Sequence, residues 1–211
     1  MVPGIGLATG NPNGASDMAR RVLVLDGHPA GETFCGALAG AYADAARKAG
    51  HDVRIRHLSS MTFDPDFGFA SYRDFKPWEP DLVAFWADLE WCEHVVIAHP
   101  LWWGGLPAKL KGLIDRVLLP GKAFSYERGD KMPKKLMDGR SSEVLVTADT
   151  PGWFFRLVYG SGVRKQMKHQ ILNFCGLKMK GYAWFSPIRS STGDSRAAML
   201  ARAARLGAAL G

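Results

Sequence analysis

The 211-residue chain reads as one α/β domain with a doubly wound parallel sheet and helices on both faces. Two observations predict it. Short apolar runs, some of them ending at glycine or proline, alternate with longer helical segments along the whole chain. The first such run, Arg21-Val22-Leu23-Val24-Leu25-Asp26-Gly27, is apolar on both faces, as a strand covered on both sides must be.

The elements follow in order. After that first strand, Thr33 can cap an alanine-rich helix that runs to about Ala49 and is closed by Gly50. Asp52 to Leu58 alternates polar and apolar residues, as a strand with one covered face does. Together these make a strand–helix–strand crossover. Ser59 to Pro80 is irregular and aromatic, with Phe63, Phe67, Phe69, Tyr72, Phe75 and Trp78 among Asp, Gly and Pro. It is read either as a pocket wall or as a satellite core. Asp81 to Cys92 predicts a helix, His94 to Pro100 a third strand, and Pro107 to about Leu119 a helix with proline in its first turn. Glu143 to Ala148 is the fourth strand, Trp153 to Cys175 a helix-rich stretch, Lys180 to Phe185 the fifth strand, and Asp194 to Leu210 a terminal helix.

Composition narrows the class. Hydrophobic residues are 47% and charged residues 22%, which suits a folded core rather than a disordered chain. No apolar run approaches the roughly 18 residues of a membrane span. Residues 1–19 read as a flexible tail without the apolar region of a secretory signal, and Met18 is a candidate start, so that residues 20–211 form the domain. The net charge is +7, from 27 Lys and Arg against 20 Asp and Glu. The basic residues are scattered, without the aromatic interleaving of a nucleic-acid module, and no nucleic-acid partner is expected. Cys35, Cys92 and Cys175 lie far apart, which implies neither a disulfide framework nor a zinc site, and points to a cytoplasmic protein with buried free thiols. No histidine pair has metal-ligand spacing, and no metal is expected.

In doubly wound sheets, ligands bind at the carboxyl ends of the strands beside the point where strand order reverses. Three loops lie there. The first, Gly27 to Cys35, offers His28, the Thr33 hydroxyl and the free N–H groups of a helix start, which suit a phosphate. The same residues also serve an ordinary capped turn. The loop has neither GxGxxG nor GxxxxGK[ST]. The second, His99 to Gly112, sets Trp102 and Trp103 beside Gly104 and Gly105; glycine lets backbone approach a flat ligand, and indole rings can wall it off. The third follows Val146.

These residues carry a resemblance. Val22 to Leu38, Val95 to Val117 and Ile171 to Gly176 match in order, the most specific parts being Pro-Leu-Trp-Trp at Pro100 to Trp103, Pro-Ala-Lys-Leu-Lys-Gly at Pro107 to Gly112, and Asp115-Arg116-Val117. From Arg21 to about Pro187 the chain resembles the flavodoxin-like NAD(P)H:quinone reductases of the DT-diaphorase type, which include ancillary oxidoreductases of potassium-efflux systems. The resemblance implies five parallel strands in the order 2-1-3-4-5. It implies FAD as the cofactor, with FMN used by some relatives, NAD(P)H as hydride donor and a small acceptor such as a quinone. It also implies a homodimer with the active site near the interface.

By the same resemblance, His28, Thr33, Phe34 and Cys35 hold the flavin phosphates, and relatives commonly carry a polar residue such as Asn at the Cys35 position. Pro100, Leu101, Trp102, Trp103, Gly104 and Gly105 wrap the flavin ring, and Thr147, Ala148 and Asp149 form the third loop. The reacting centre is expected at Trp103, Gly104, Thr147 and Tyr159. Here the chain departs from its better-known relatives. Their Thr-Gly-Gly run is replaced by Thr147-Ala148-Asp149-Thr150-Pro151-Gly152, and Tyr159 and His169 are the nearest residues to their proton-relay pair. Asp149 suits an anionic reduced ring only if it points away or binds something else. Two alternatives share the fold: a regulatory flavoprotein subunit of a potassium-efflux system, whose membrane partner the sequence does not indicate, and an electron carrier, a class that is typically small and acidic. A hydrolase would need G-x-S-x-G, which is absent.

Overall fold

Five strands pair in parallel in the order β2-β1-β3-β6-β7. They are β1 (Arg21–Asp26), β2 (Asp52–His57), β3 (His94–Pro100), β6 (Arg140–Thr147) and β7 (Leu177–Phe185). The computed structural model describes residues 19–68, 74–127, 129 and 132–210. The expected tail up to residue 18, and Phe69 and Tyr72 of the aromatic segment, lie outside the described residues.

The sheet order is the expected one once the two-residue strands β4 (Phe124–Ser125) and β5 (Lys134–Lys135) are set aside. These pair antiparallel in a small separate ribbon that the sequence reading does not anticipate. Two residues leave almost no periodicity to read. β6 begins at Arg140, three residues before the expected start. Ser141 and Ser142 look like loop residues in sequence, but Ser142 Oγ donates to the Leu177 carbonyl at 3.0 Å and lets the strand continue. β7 likewise begins at Leu177, and its register against β6 shifts between Ser142 and Glu143, so that Lys180 is an extra residue.

Helices α1 (Phe34–Lys48) and α7 (Gly193–Ala209) cover one face, where Leu38, Tyr42 and Ala203 pack on Val22, Val96 and Leu145. The other face is covered by α2 (Pro80–Trp91), α3 (Ala108–Val117) and the helical run α5 (Gly162–Lys165), a π-helical turn (Gln166–Leu172) and α6 (Asn173–Cys175). A short helix, α4 (Gly152–Leu157), follows β6. Burial of both apolar faces supplies the main stabilisation. All three cysteines are buried and free.

Of the described aromatic side chains in this segment, Phe63 and Trp78 pack on the core of the α2–α3 face, and Phe75 is exposed. Trp78 sits 5.5 Å from Trp86 and donates its indole N–H to the Arg116 carbonyl. Buried Arg116 in turn pairs with Glu79 at 2.9 Å and donates to the Pro77 and Asp64 carbonyls. Phe63 joins the core on the α2–α3 face.

Candidate functional site

The loops that follow β1, β3 and β6 converge on a cavity of about 410 Å³ at the carboxyl end of the sheet, a size suited to a cofactor or small substrate. It is lined by His28, Thr33, Phe34, Cys35, Pro100, Leu101, Trp102, Thr147, Ala148, Asp149, Ile188 and Arg196. Ten of these are the residues named from sequence.

On the first loop, Thr33 is the N-cap of α1, and its Oγ accepts the Gly36 N–H at 3.2 Å. The capped turn is therefore real, yet the hydroxyl proton remains available to donate. The Phe34 and Cys35 N–H groups lie in the first turn, where an α-helix supplies no internal partner. His28 Nδ1 accepts the Ala30 N–H at 3.0 Å. In the tautomer in which Nδ1 accepts this N–H, rather than donating to the Ala30 carbonyl 3.2 Å away, Nε2 carries the proton and is a further donor. The same ring meets Trp102 edge-on, with centroids 5.5 Å apart. Free N–H groups, a hydroxyl and an imidazole N–H make this end of the cavity an anion cradle.

Cys35 is a poor nucleophile here. Burial, reinforced by the Asp26 carboxylate, pushes its thiol far above the ordinary range. It is a small neutral filler between Asp26 and Thr147.

The second loop is a two-residue turn. Trp102 N–H donates to the Gly105 carbonyl at 3.1 Å, and Gly105 N–H returns the bond at 2.9 Å. Trp103 and Gly104 sit at its tip with φ of +49° and +75°, the arrangement of a type I′ turn. For a bulky residue such as Trp103 a positive φ is strained, and strain of this kind concentrates at functional sites. Among the described residues, the Trp103 and Gly104 N–H groups have no partner. Trp103 is fully exposed. Trp103, Gly104 and Gly105 therefore form the rim of the cavity rather than its lining.

The third loop is held from outside. Asp149 accepts the N–H groups of Ile188 and Arg189, so one oxygen of its carboxylate binds the β7–α7 loop. This supplies the alternative partner that the sequence demanded. Trp184 donates its indole N–H to the Thr150 carbonyl at 3.1 Å and stacks on Phe155 with centroids 4.2 Å apart. The Asp149 and Thr150 N–H groups have no partner among the described residues. Tyr159 lies beyond, half exposed, edge-on to Phe154 of α4. It is not among the residues that line the cavity.

Sequence reasoning missed Ile188 and Arg196. Arg196 Nε donates to Ser191 Oγ at 2.7 Å, and its guanidinium lies 5.3 Å from the centre of the Phe34 ring. No carboxylate pairs with it among the described residues, so it offers an uncommitted positive charge to the anion cradle. It reaches the cradle because α7 packs beside α1. No local motif marks one arginine in an alanine-rich helix.

The donor set fits a phosphate-bearing planar cofactor such as a flavin: cationic and N–H donors at one end, unpartnered N–H groups on two loops, and Trp102 as a wall. Comparison with known proteins identifies the family and its relatives. Over residues 20–208 the chain matches the family described as having a flavodoxin-like fold. It is 26% identical over 196 residues to an NAD(P)H oxidoreductase of Haemophilus influenzae named as uncharacterized, covering 87% of this chain and 92% of that protein. It is 28% identical over 185 residues to NAD(P)H dehydrogenase (quinone) 1 of Rattus norvegicus, covering 76% of this chain and 66% of that protein. Among solved structures, an FMN-dependent NADH-azoreductase of Bacillus anthracis in complex with FMN superposes with a TM-score of 0.68 at 13% identity, covering 90% of this chain and 98% of that one, a likeness of fold alone.

Proposed function

The chain belongs to the flavodoxin-like family, with NAD(P)H oxidoreductases among its relatives, and from that premise we propose that it binds FAD and reduces quinones or similar acceptors by two-electron transfer from NAD(P)H. The observation that carries this reading is the convergence of three loops, each with unpartnered N–H groups, on one cavity at the strand carboxyl ends.

When bound, the flavin supplies hydride acceptance from NAD(P)H and two-electron delivery to the acceptor. The chain supplies binding and electrostatics. The Phe34 and Cys35 N–H groups, the Thr33 hydroxyl, His28 and Arg196 hold the phosphates. Arg196 extends the cationic surface beyond the first loop, which favours the diphosphate of FAD over the single phosphate of FMN. The N–H groups of Trp103, Gly104, Asp149 and Thr150 stabilise negative charge on the reduced ring, a task that pre-aimed donors perform without reorganisation. No side-chain nucleophile is required, in keeping with the inert Cys35 thiol. Tyr159 enters the site only if the segment after α4 closes over the rim.

The exposed apolar side chains Trp103, Trp153, Leu157 and Tyr159 support a homodimer in which a second copy covers the mouth of the cavity. Among the described residues no helix is long and apolar enough to cross a membrane. We assign the chain to the cytoplasm on its free thiols. The relatives reported above are named as oxidoreductases and none as a potassium-efflux subunit, so that alternative gains no support.

The test is reconstitution of purified protein with FAD and with FMN, followed by NADH or NADPH oxidation with a soluble quinone. Tighter retention of FAD with quinone-dependent turnover is expected. Failure to bind either flavin would refute the assignment.

A further inference from the structure

At the opposite end of the sheet lies a second cavity, of about 390 Å³, lined by Arg20, Asp138, Gly139, Arg140, Ser141, Lys178 and Lys180. Four of these seven residues are cationic and one is acidic. Among the described residues, none of the four cations has a carboxylate within ion-pair distance. The neighbouring carboxylate, Glu93, is taken by Arg21, whose backbone N–H it accepts at 3.0 Å. Ser141 and Thr147 stand at opposite ends of β6, so this cavity is about 20 Å from the flavin pocket at a strand rise of about 3.3 Å per residue.

Both guanidinium groups are fixed in place. Arg20 Nη2 donates to Ser141 Oγ at 2.7 Å. Ser141 Oγ lies 2.8 Å from His94 Nδ1, His94 Nε2 lies 3.3 Å from the Tyr42 hydroxyl, and that hydroxyl donates to Glu143 at 2.7 Å. One proton arrangement satisfies every link: arginine to serine, serine to histidine, histidine to tyrosine, tyrosine to carboxylate. The chain of donors ties an arginine at the cavity to a buried acid in the core. Arg140 donates to the Cys92 and Glu90 carbonyls at 3.0 and 3.1 Å, at the end of α2. Among the described residues each arginine keeps N–H groups without a partner, already oriented, so little side-chain freedom is lost when an anion arrives.

The opposite wall belongs to β7. Lysines on an edge strand commonly guard against edge-to-edge pairing, and that role accounts for Lys178 and Lys180 taken alone. It does not account for two pinned arginines facing the same hollow. The bulge at Lys180 is a second sign, because bulges re-aim a side chain. It is followed by Gly181, where a Cβ would come within 2.3 Å of Glu143 Oε1. The strand irregularity and the buried acid of the donor chain are thus one packing solution.

We propose that this cavity is a second ligand site, which binds the phosphate group of a small anionic molecule. The concave shape and limited volume favour a small ligand over a polyanionic chain, and an arginine fork matches phosphate oxygens in pairs. The site shares no residue with the flavin pocket.

The test uses full-length protein saturated with flavin, so that the anion cradle of the first pocket is filled. Inorganic pyrophosphate and glycerophosphate are titrated by calorimetry at low salt, against wild type, Lys178→Gln/Lys180→Gln and Arg140→Gln. The expected result is one site per chain with Kd below about 1 mM for at least one probe, pyrophosphate being tighter if the ligand is a free phosphate and glycerophosphate if it is carried. Both variants should lose at least tenfold in affinity while flavin content and NAD(P)H oxidation stay at wild-type values. Both lysines are exposed, so the double variant tests binding without a change in the core. Absence of binding by both probes, unchanged affinity in the double variant, or binding of single-stranded RNA alone would each overturn the proposal.

Discussion

The Asp149 carboxylate accepts the Arg189 backbone N–H at 2.6 Å, joining the third loop of the pocket to the loop that leads into α7. The carboxylate, on a loop proposed to flank the flavin ring, thereby serves as a structural acceptor. Asp149→Asn retains an acceptor oxygen and should leave flavin affinity within a few-fold of wild type. Asp149→Ala leaves the Arg189 N–H without its partner, and the Ile188 N–H with the Ala148 carbonyl alone, and should weaken flavin binding about tenfold, or about 1.4 kcal/mol. Fluorescence titration of the two variants checks this. Equal behaviour would remove the loop from the account.

Arg196 gives a sharper distinction. Arg196→Gln should weaken FAD binding by roughly tenfold or more, since a charge-assisted hydrogen bond is worth about 1.5–3 kcal/mol, and should change FMN binding far less. Equilibrium dialysis with each cofactor measures the ratio. An equal loss for both would place Arg196 at the first phosphate rather than the second.

The turn at Trp103 and Gly104 yields a stability prediction. A Cβ at Gly104 meets nothing within 4 Å, but the residue has φ of +75°. Gly104→Val should therefore act through backbone strain, costing about 1–2 kcal/mol in the turn and weakening flavin retention. Gly104→Asn, which tolerates this conformation better, should lose less. Thermal melts with and without flavin separate the two effects.

Acid should destabilise the fold through two buried histidines. Burial, helped by the charges of Arg20 and His51, holds His94 down to about 3, and burial holds His99 down to about 4. Both lie below the ordinary value of 6.5. The unfolded chain therefore binds protons that the folded chain refuses, so stability is full above pH 6.5 and falls as pH drops toward these values. Each histidine contributes a slope of about 1.4 kcal/mol per pH unit in that window. Among the described residues His99 Nε2 has no partner, and Nδ1 donates to the Pro100 carbonyl at 2.9 Å. His99→Leu should flatten the acid limb by about half, as read by urea melts between pH 6.5 and 4.5. An unchanged slope would contradict the assignment.

Much of this architecture is legible in the sequence because its signals are local. β3 lies between the residues expected, since a run with Val95, Val96 and Ile97 at its centre, starting after Glu93 and ending at Pro100, leaves little choice of bounds. The three pocket loops are legible because strand carboxyl ends in a doubly wound sheet must meet. Arg196 is not, because it joins the pocket only through packing of α7 against α1. The early start of β6 is hidden for a different reason: serines carry no periodic signal, and their hydroxyl bonds appear only in the folded sheet. The donor chain from Arg20 to Glu143 is invisible for the same reason, its members being scattered over more than a hundred residues.

The most direct test of the redox account is an anaerobic absorbance titration of the flavin-loaded protein. Stoichiometric NADH or NADPH should bleach the flavin band, and one equivalent of quinone should restore it without accumulation of a one-electron intermediate. A bound flavin that NAD(P)H leaves unbleached would contradict it, as would recovery through a stable radical, which would mark an electron carrier built on the same fold.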